Sequence, residues 1–358
     1  MKLLKLRLIL PAVCMFALTG CGYAGPEKAV RQELDLIRSL DESTIKAFVS
    51  YEELQISPDE TSTIGDETTE AVKLFFKNFN YRIRSSSLSD DGNSAVVTVD
   101  ITNLDAKELA KDLCRIMITE SSTGDELRDG GLQFAFSIMK DCLETHSYET
   151  ATTEATVHLT KKGNQWIIQE SAQLEDQIAG GLASYLNNPY LLDPAEVLDI
   201  TLEPFRSFTG ADWIAYLNIE DIFSLGTELA SEIDQILASQ IAQYFDYQIG
   251  TVTQDGDYAS ASVEVTSLDL ESVITQCRTE LLDYAKTTES IRATDMELAE
   301  KTSAIILDAL NANTTSVTNT IEIPLLNNGF TWEEMPDASF TDALLGGVTD
   351  AVTLLYAE

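Results

Sequence analysis

The residues best suited to nucleophilic or metal chemistry are few: five cysteines and two histidines among 358 residues. A thiolate attacks carbon or sulfur centres and binds soft metals, and an imidazole moves protons near neutral pH. His146 is interpreted as a helix-end residue and His158 as a strand residue. No CxxC, GxSxG, HExxH, P-loop or GxGxxG motif occurs. We therefore predict no catalytic residue, no metal site and no cofactor.

One cysteine lies in a defined context near the start of the chain. Leu18-Thr19-Gly20-Cys21 follows a leader in which Lys2, Lys5 and Arg7 form a positive segment and residues 8–18 are apolar. The apolar run has the length of a signal peptide and is too short to span a bilayer as a helix. The pattern resembles a bacterial lipoprotein signal, in which the cysteine that closes a Leu-x-Gly-Cys box is lipidated and becomes the first residue.

This resemblance implies that residues 1–20 are a signal peptide and that Cys21 carries the lipid. The mature chain would then be extracytoplasmic and anchored to the cell membrane, since two or more acyl chains give stable anchoring. Residues 21–25 would form a tether that, at about 3.5 Å per residue, reaches less than about 20 Å. We expect the first domain to stay near the bilayer surface.

Four basic residues form a local group in the first half of the chain. Lys73 and Lys77 are four residues apart and share one face of a predicted helix, whereas Arg82 and Arg84 share one face of a predicted strand. The corresponding stretch of the second half has no basic residue. The group is a candidate anion-binding site, for a ligand or for carboxylates of the second half. The alternative is surface charge that offsets the acidic excess.

Two further cysteines are candidates for a disulfide. Cys114 and Cys142 lie on predicted helical stretches on either side of a break near residue 128, each 14 residues from it. An antiparallel helical hairpin would place them side by side, and an extracytoplasmic location permits a bridge. Two buried thiols are the alternative. Cys277 is interpreted as a small buried hydrophobic residue.

The chain is strongly acidic, with 59 Asp and Glu against 23 Lys and Arg. The leader holds three of the basic residues, which leaves the mature chain at a net charge of −39. Such a surface repels phosphate backbones and excludes nucleic acid as a partner. Residues 193–358 hold 30 acidic and 5 basic side chains. This half can attract divalent cations or a basic partner, and a solvated acidic face is the alternative.

Segments of the second half match segments of the first. Phe79–Ile83 is matched by Phe245–Ile249, and Ala95–Asp105 is matched by Ala259–Asp269. The offset changes from 166 to 164 residues between these segments, in a hairpin, where length changes are cheap. The further matches are Gly163 with Gly329, Trp166 with Trp332, Asp176 with Asp342, Gly180 with Gly346, and Gly181 with Gly347. We predict two related domains, residues 26–190 and 193–358, joined through a turn-forming segment.

Each predicted domain begins with helices and continues with paired strands. Helical spacing and strand alternation predict, in order, helices at Val30–Ile37, Ile45–Leu54 and Glu67–Phe79, a hairpin turning at Asp90–Asn93, helices over 105–146, strands at Ala151–Thr160 and Gln165–Glu170, and a closing helix with a Gly-Gly pair. The pair is interpreted as a site of close helix packing. The fold class is α+β: two homologous domains, each with helices packed on a curved antiparallel sheet of about four strands.

This order resembles the cone-shaped superfamily of nuclear transport factor 2-like domains, and tandem copies behind a lipidated cysteine resemble lipoproteins of Gram-positive bacteria. The resemblance implies a concave pocket in each half. The leading hypothesis is a membrane-anchored, non-catalytic binding or scaffold module for a protein, glycan or small molecule. The alternatives are a small-ligand carrier or enzyme that uses one pocket, and the solute-binding component of a transporter.

Overall fold

The computed structural model describes residues 25–40, 66–122, 131–335 and 338–347. Within this part, the chain divides into two compact units, one running to Leu192 and one beginning at Asp193, with Gly329–Thr331 grouped with the first. Cys21 and the helix predicted at Ile45–Leu54 lie outside the described residues.

Each unit contains a four-stranded antiparallel sheet with its strands in sequence order. The α+β class predicted from the sequence is confirmed. The strands of the first unit are β1 (Asn80–Leu88), β2 (Ser94–Leu104), β3 (Thr150–Lys162) and β4 (Gln165–Ile168); those of the second are β5 (Asp246–Asp255), β6 (Tyr258–Leu268), β7 (Ser316–Asn327) and β8 (Trp332–Glu334).

Helices precede, separate and follow the two hairpins of each sheet. In the first unit they are α1 (Pro26–Arg38), α2 (Asp66–Phe75), α3 (Ala106–Ser122), α4 (Gly131–Thr145), α5 (Ala172–Ile178) and α6 (Leu182–Leu186). In the second they are α7 (Pro194–Leu202), a 3-10 helix (Glu203–Ser207), α8 (Gly210–Leu217), α9 (Ala230–Tyr244), α10 (Leu270–Ala285), α11 (Asp295–Ala312) and α12 (Ala338–Leu344). Within the described ranges, no helix has both the length and the apolar character to cross a bilayer.

The first helix of each unit lies across its sheet. α1 packs on β1, β2 and β4, and α7 packs on β5, β6 and β8. Both helices begin with proline, whose fixed φ suits a first helical position. In α7 the Asp193 side chain also accepts a hydrogen bond from the Glu196 backbone N–H at 2.8 Å. Val197, Leu198 and Leu202 are buried, which matches helical spacing.

The second strand of each sheet forms the centre of its core. In β2 the buried side chains include Val97, Val99 and Ile101, and in β6 they include Val263 and Val265. Strand alternation therefore predicted both strands correctly, because polar and apolar residues alternate where one face is covered.

The edge strands β1 and β5 share an irregularity. The β1–β2 register slips by one residue between Ile83 and Ser85, and the β5–β6 register slips by one residue between Ile249 and Val252. Each slip is a β-bulge, which bends the strand and increases its twist. The hairpin loop comprises residues 89–93 in the first unit and residues 256–257 in the second. The change of repeat offset falls between these bulges and the second strands.

The glycine pairs end helices, and this corrects the interpretation as helix-packing sites. At the end of α5, the N–H of Gly181 donates to the carbonyl of Asp176 at 2.7 Å, and the N–H of Gly180 donates to Gln177 at 3.2 Å. Gly180 and Gly181 have φ values of 68° and 86°, so they form a left-handed helix stop. α12 ends in the same way, with bonds from Gly347 to Asp342 and from Gly346 to Ala343.

A further difference concerns the helix predicted to reach Phe79. α2 ends at Phe75, and residues 76–79 form a turn before β1. The rings of Phe75, Phe76 and Phe79 pack edge to face in sequence. This apolar turn has the same residue spacing as a helix face, which explains the overlong prediction.

The glycine pairs generate a prediction about stability. A Cβ on Gly346 would overlap the carbonyl oxygen of Leu268, whereas a Cβ on Gly180 would lie 3.3 Å from the Ala106 Cβ. A left-handed residue other than glycine costs about 1–2 kcal/mol, and overpacking adds about 1–3 kcal/mol. We expect Gly346→Ala to destabilise the chain by about 2–5 kcal/mol and Gly180→Ala by about 1–2 kcal/mol in urea titrations. Equal losses would contradict the difference in packing.

Candidate functional site

The second unit concentrates polar side chains between α7 and the edge strand β5. The Tyr247 hydroxyl lies 2.8 Å from Asp199 Oδ1 and 3.1 Å from Glu203 Oε2, and its proton is donated to these carboxylates. Burial and the hydrogen bond to Asp199 raise the pKa of Tyr247 above its ordinary value. The phenol therefore stays protonated and fixes the first helix of the unit to the edge strand.

Arg206 binds the same tyrosine from outside. Its guanidinium lies over the Tyr247 ring at 4.3 Å from the centroid and donates to the Tyr247 carbonyl oxygen at 2.9 Å. It also forms ion pairs with Glu203 and Asp246, each at 2.9 Å. The short 3-10 helix that follows α7 brings Arg206 back to the strand. Arg206 is the only basic residue in residues 193–277.

An open depression of about 570 Å³ lies at this place. We call it the α7–β5 groove. One wall comes from α7 and the residue that caps it, and the floor and other wall come from the first half of β5. The residues that line it are Asp193, Ala195, Glu196, Asp199, Arg206, Tyr247, Gln248, Ile249 and Gly250. The groove is polar, and three carboxylates face one guanidinium along its lining.

The first unit repeats the tyrosine contact. The Tyr81 hydroxyl donates to Asp35 Oδ1 at 2.8 Å and also lies 3.1 Å from the Arg31 carbonyl oxygen. Arg38 pairs with Asp35 at 2.9 Å and lies over the Tyr81 ring at 5.7 Å. Burial, and next the hydrogen bond to Asp35, raise the pKa of Tyr81 to about 12. A tyrosine on the edge strand and an aspartate on the first helix are thus common to both units.

The charges around the two tyrosines differ. Arg82 and Arg84 of β1 correspond in the repeat to Gln248 and Gly250 of β5, and Arg31 of α1 corresponds to Ala195 of α7. The edge strand and first helix therefore carry more positive charge in the first unit. The same scaffold presents opposite charge in its two copies.

The four residues of the predicted anion-binding group lie on two elements. Arg84 Nε donates to Asp100 Oδ2 at 2.6 Å, and Arg82 lies 3.5 Å from the same oxygen. Both arginines extend from β1 toward one carboxylate on the neighbouring strand, which takes up part of their charge. Lys73 lies on α2 and Lys77 in the turn after it, and α2 packs on α4. Anion binding by this group stays a prediction.

The cysteines of the described region are buried. Cys114 lies on α3 and Cys142 on α4, two helices that pack together. Burial, and next the charge of Asp112, raise the pKa of the Cys142 thiol to about 11, and burial raises that of Cys277 to about 11. Tyr148 donates a hydrogen bond to Asp112 at 2.7 Å beside Cys142. A bridge between Cys114 and Cys142 stays a prediction.

Other candidates from the sequence have a structural place. His146 follows the end of α4, and His158 is exposed on β3. Trp166 and Trp332 are buried in the cores of their units. Among the described residues, no group of three or more Asp, Glu, His or Cys side chains is arranged to hold a metal ion. The lipidation candidate Cys21 lies outside them.

Sequence reasoning missed the tyrosine sites, although a signal was present. Tyr81 and Tyr247 belong to the matched segments at the start of each sheet, and Asp35 and Asp199 are separated by the same 164-residue offset. A polar pair kept in both copies at a fixed offset indicates a shared contact. Arg206 had no such counterpart and could be found only from the fold.

Comparison with known proteins leaves the chain without a family. No protein-family model matches it, and no curated protein matches it significantly. One matching crystal structure is that of a protein described as a "putative lipoprotein (ycdA)" from Bacillus subtilis. That protein is 11% identical, the match covers 75% of this chain and 95% of that one, and the TM-score is 0.26. A TM-score of this size does not establish a shared fold, and the nuclear transport factor 2-like assignment stays a prediction.

The tyrosine contacts predict a loss of stability in alkali. Because the folded chain holds the Tyr81 proton more tightly than an unfolded chain, whose tyrosine titrates near 10, the contribution is complete below about pH 10. It is lost as the pH rises toward the folded pKa of about 12. Tyr247 acts in the same direction. We expect the free energy of unfolding to fall between pH 9.5 and 11.5, and to fall less steeply in Tyr81→Phe and Tyr247→Phe.

Circular dichroism in urea at each pH measures this effect. At pH 7.5 each variant should lose about 0.5–1.5 kcal/mol, the usual contribution of one hydrogen bond. Tyr258→Phe removes a hydroxyl from a 62%-exposed tyrosine and is the matched control. Unchanged alkaline slopes in both test variants would contradict the role given to the phenols.

The buried cysteines give a second prediction. At pH 8 a thiol with a pKa of about 11 is almost entirely protonated, so Cys142 and Cys277 should react slowly with iodoacetamide in the folded chain. Mass spectrometry after alkylation in urea without reductant then tests the bridge. Labelling of Cys277 alone, among these three residues, supports a bond between Cys114 and Cys142, and labelling of all three rules it out.

Proposed function

We propose that this chain is an extracytoplasmic lipoprotein, anchored to the cell membrane through Cys21, that acts as a non-catalytic binding or scaffold module. The leader and the Leu-x-Gly-Cys box support the anchor. The observation that carries the binding role is the α7–β5 groove, an open polar groove of about 570 Å³ beside an edge strand. Volumes of 300–1,000 Å³ are usual for binding sites.

The polar groups of the groove support binding better than chemistry. The Tyr247 phenol has a raised pKa and donates its proton to carboxylates, so it is a poor nucleophile and a poor acid at neutral pH. Arg206 is occupied by two carboxylates and a carbonyl oxygen. A rigid set of paired charges on a helix and a strand is suited to orienting a partner.

The anchor is tested by Cys21→Ala in the full chain. The wild type should fractionate with membranes and incorporate a radiolabelled fatty acid, because the thiol of Cys21 carries an acyl group. The variant should lose the label and move to the soluble fraction, or accumulate with its leader uncleaved. Cys277→Ala, which changes a buried cysteine far from the leader, is the control and should keep the label. Labelled, membrane-bound Cys21→Ala would overturn the anchor.

A further inference from the structure

We propose that the α7–β5 groove binds an extended peptide segment rich in lysine and arginine, which adds as a fifth strand to the open edge of β5. The proposal deepens the binding role proposed above and does not depend on the lipid anchor. It commits to a polypeptide as the occupant, since the groove offers backbone hydrogen bonds as well as charge.

The first support is the backbone of β5. This strand pairs with β6 on one side, and the described part of the chain places no strand on its other side. The Tyr247 carbonyl points to that open side, because it accepts the hydrogen bond from Arg206. Backbone groups of alternate residues in an antiparallel strand point the same way. The N–H of Ile249 therefore also points to the open edge, where an added strand can accept it.

Arg206 shows which chemistry the edge accommodates. Its guanidinium satisfies an outward carbonyl, stacks on the Tyr247 ring and is held by Glu203 and Asp246. This is a basic side chain bound at one end of the groove by the chain itself. A partner strand would begin beyond Arg206, at Ile249 and Gly250, and its basic side chains would reach the wall formed by α7.

The space along the edge suits a backbone. Gly250 has no side chain and lies at the bulge, where a Cβ would already come within 3.2 Å of the Ser262 carbonyl oxygen. A glycine in a strand often marks close approach of another backbone. An added strand lies about 4.8 Å from its neighbour. The open volume of about 570 Å³ on this side leaves room for a segment of several residues.

Charge selects the partner. Asp193, Glu196 and Asp199 line the groove, and Glu203 and Asp246 flank it, so five carboxylates surround one guanidinium. Residues 207–277 add no basic side chain. Opposite charges steer association and suppress partners of the same charge. An acidic peptide is therefore excluded, and the first unit, whose edge strand carries Arg82 and Arg84, should not select a basic peptide.

The experiment is a fluorescence-anisotropy titration of the full chain in mild detergent. The probe is a labelled octapeptide that alternates lysine and valine, compared with a glutamate and valine peptide of equal length. A third peptide has the lysine and valine sequence with alternate backbone nitrogens methylated, which keeps the charge and removes N–H donors. We expect saturable binding of the first peptide, no binding of the second, and at least threefold weaker binding of the third.

Two variants at equivalent positions assign the site. Ile249→Pro removes the outward N–H of β5, a position where proline is tolerated because the N–H is outside the ladder. Ile83→Pro makes the same change on β1. We expect Ile249→Pro to weaken binding about threefold to tenfold, as for one lost hydrogen bond, and Ile83→Pro to leave it unchanged. If Ile249→Pro does not fold, the methylated peptide makes the same test on the wild type.

Several outcomes would overturn the proposal. They are absence of saturable binding by the lysine peptide, equal binding of the methylated peptide, and an equal effect of the two proline variants. Equal binding of the methylated peptide would indicate charge alone, without strand addition. A chain that carries the lipid label but fails these tests keeps its anchor and loses this proposal, so the two failures are distinguishable.

Discussion

The hydrogen bond from an edge-strand tyrosine to a first-helix aspartate is the constraint on which both units depend. It joins the element that opens each unit to the strand that opens each sheet, across 46 residues in one case and 48 in the other. Because the tyrosine ring is covered and its hydroxyl is satisfied, the helix lies at a defined place along the strand. The wall of the α7–β5 groove is a consequence of this contact.

The contact is kept while the charges around it differ. α1 and α7 cross their sheets on equivalent strands, and β1 and β5 bulge at nearly the same position. On this common frame, arginines stand on the first edge strand, whereas the second has glutamine and glycine. Backbone geometry and surface charge are thus set by different residues. A frame used twice can hold two different partners, provided that the buried Tyr–Asp contact remains.

The sequence predicted the sheets well, because β2 and β6 alternate between a covered and an uncovered face. It predicted the glycine pairs poorly, since two glycines after a helix do not tell a packing site from a left-handed stop. The candidate site was harder still. Arg82 and Arg84 could be paired by their spacing, but their partner Asp100 lies across the hairpin. The Tyr247–Asp199 contact depends on how α7 lies on β5, which is a tertiary property that local patterns do not specify.

The open edge of β5 also bears on how copies of this chain coexist. An unpaired edge is a template for pairing with another chain, and proteins usually protect such edges with charge, bulges or cover. Here a bulge shortens the regular edge and carboxylates surround it, while the whole mature chain carries −39. Crowded on one surface, identical copies repel one another at this edge. Acidic surroundings that protonate the carboxylates would weaken the repulsion, so colloidal stability should decline toward the isoelectric region near pH 4.1.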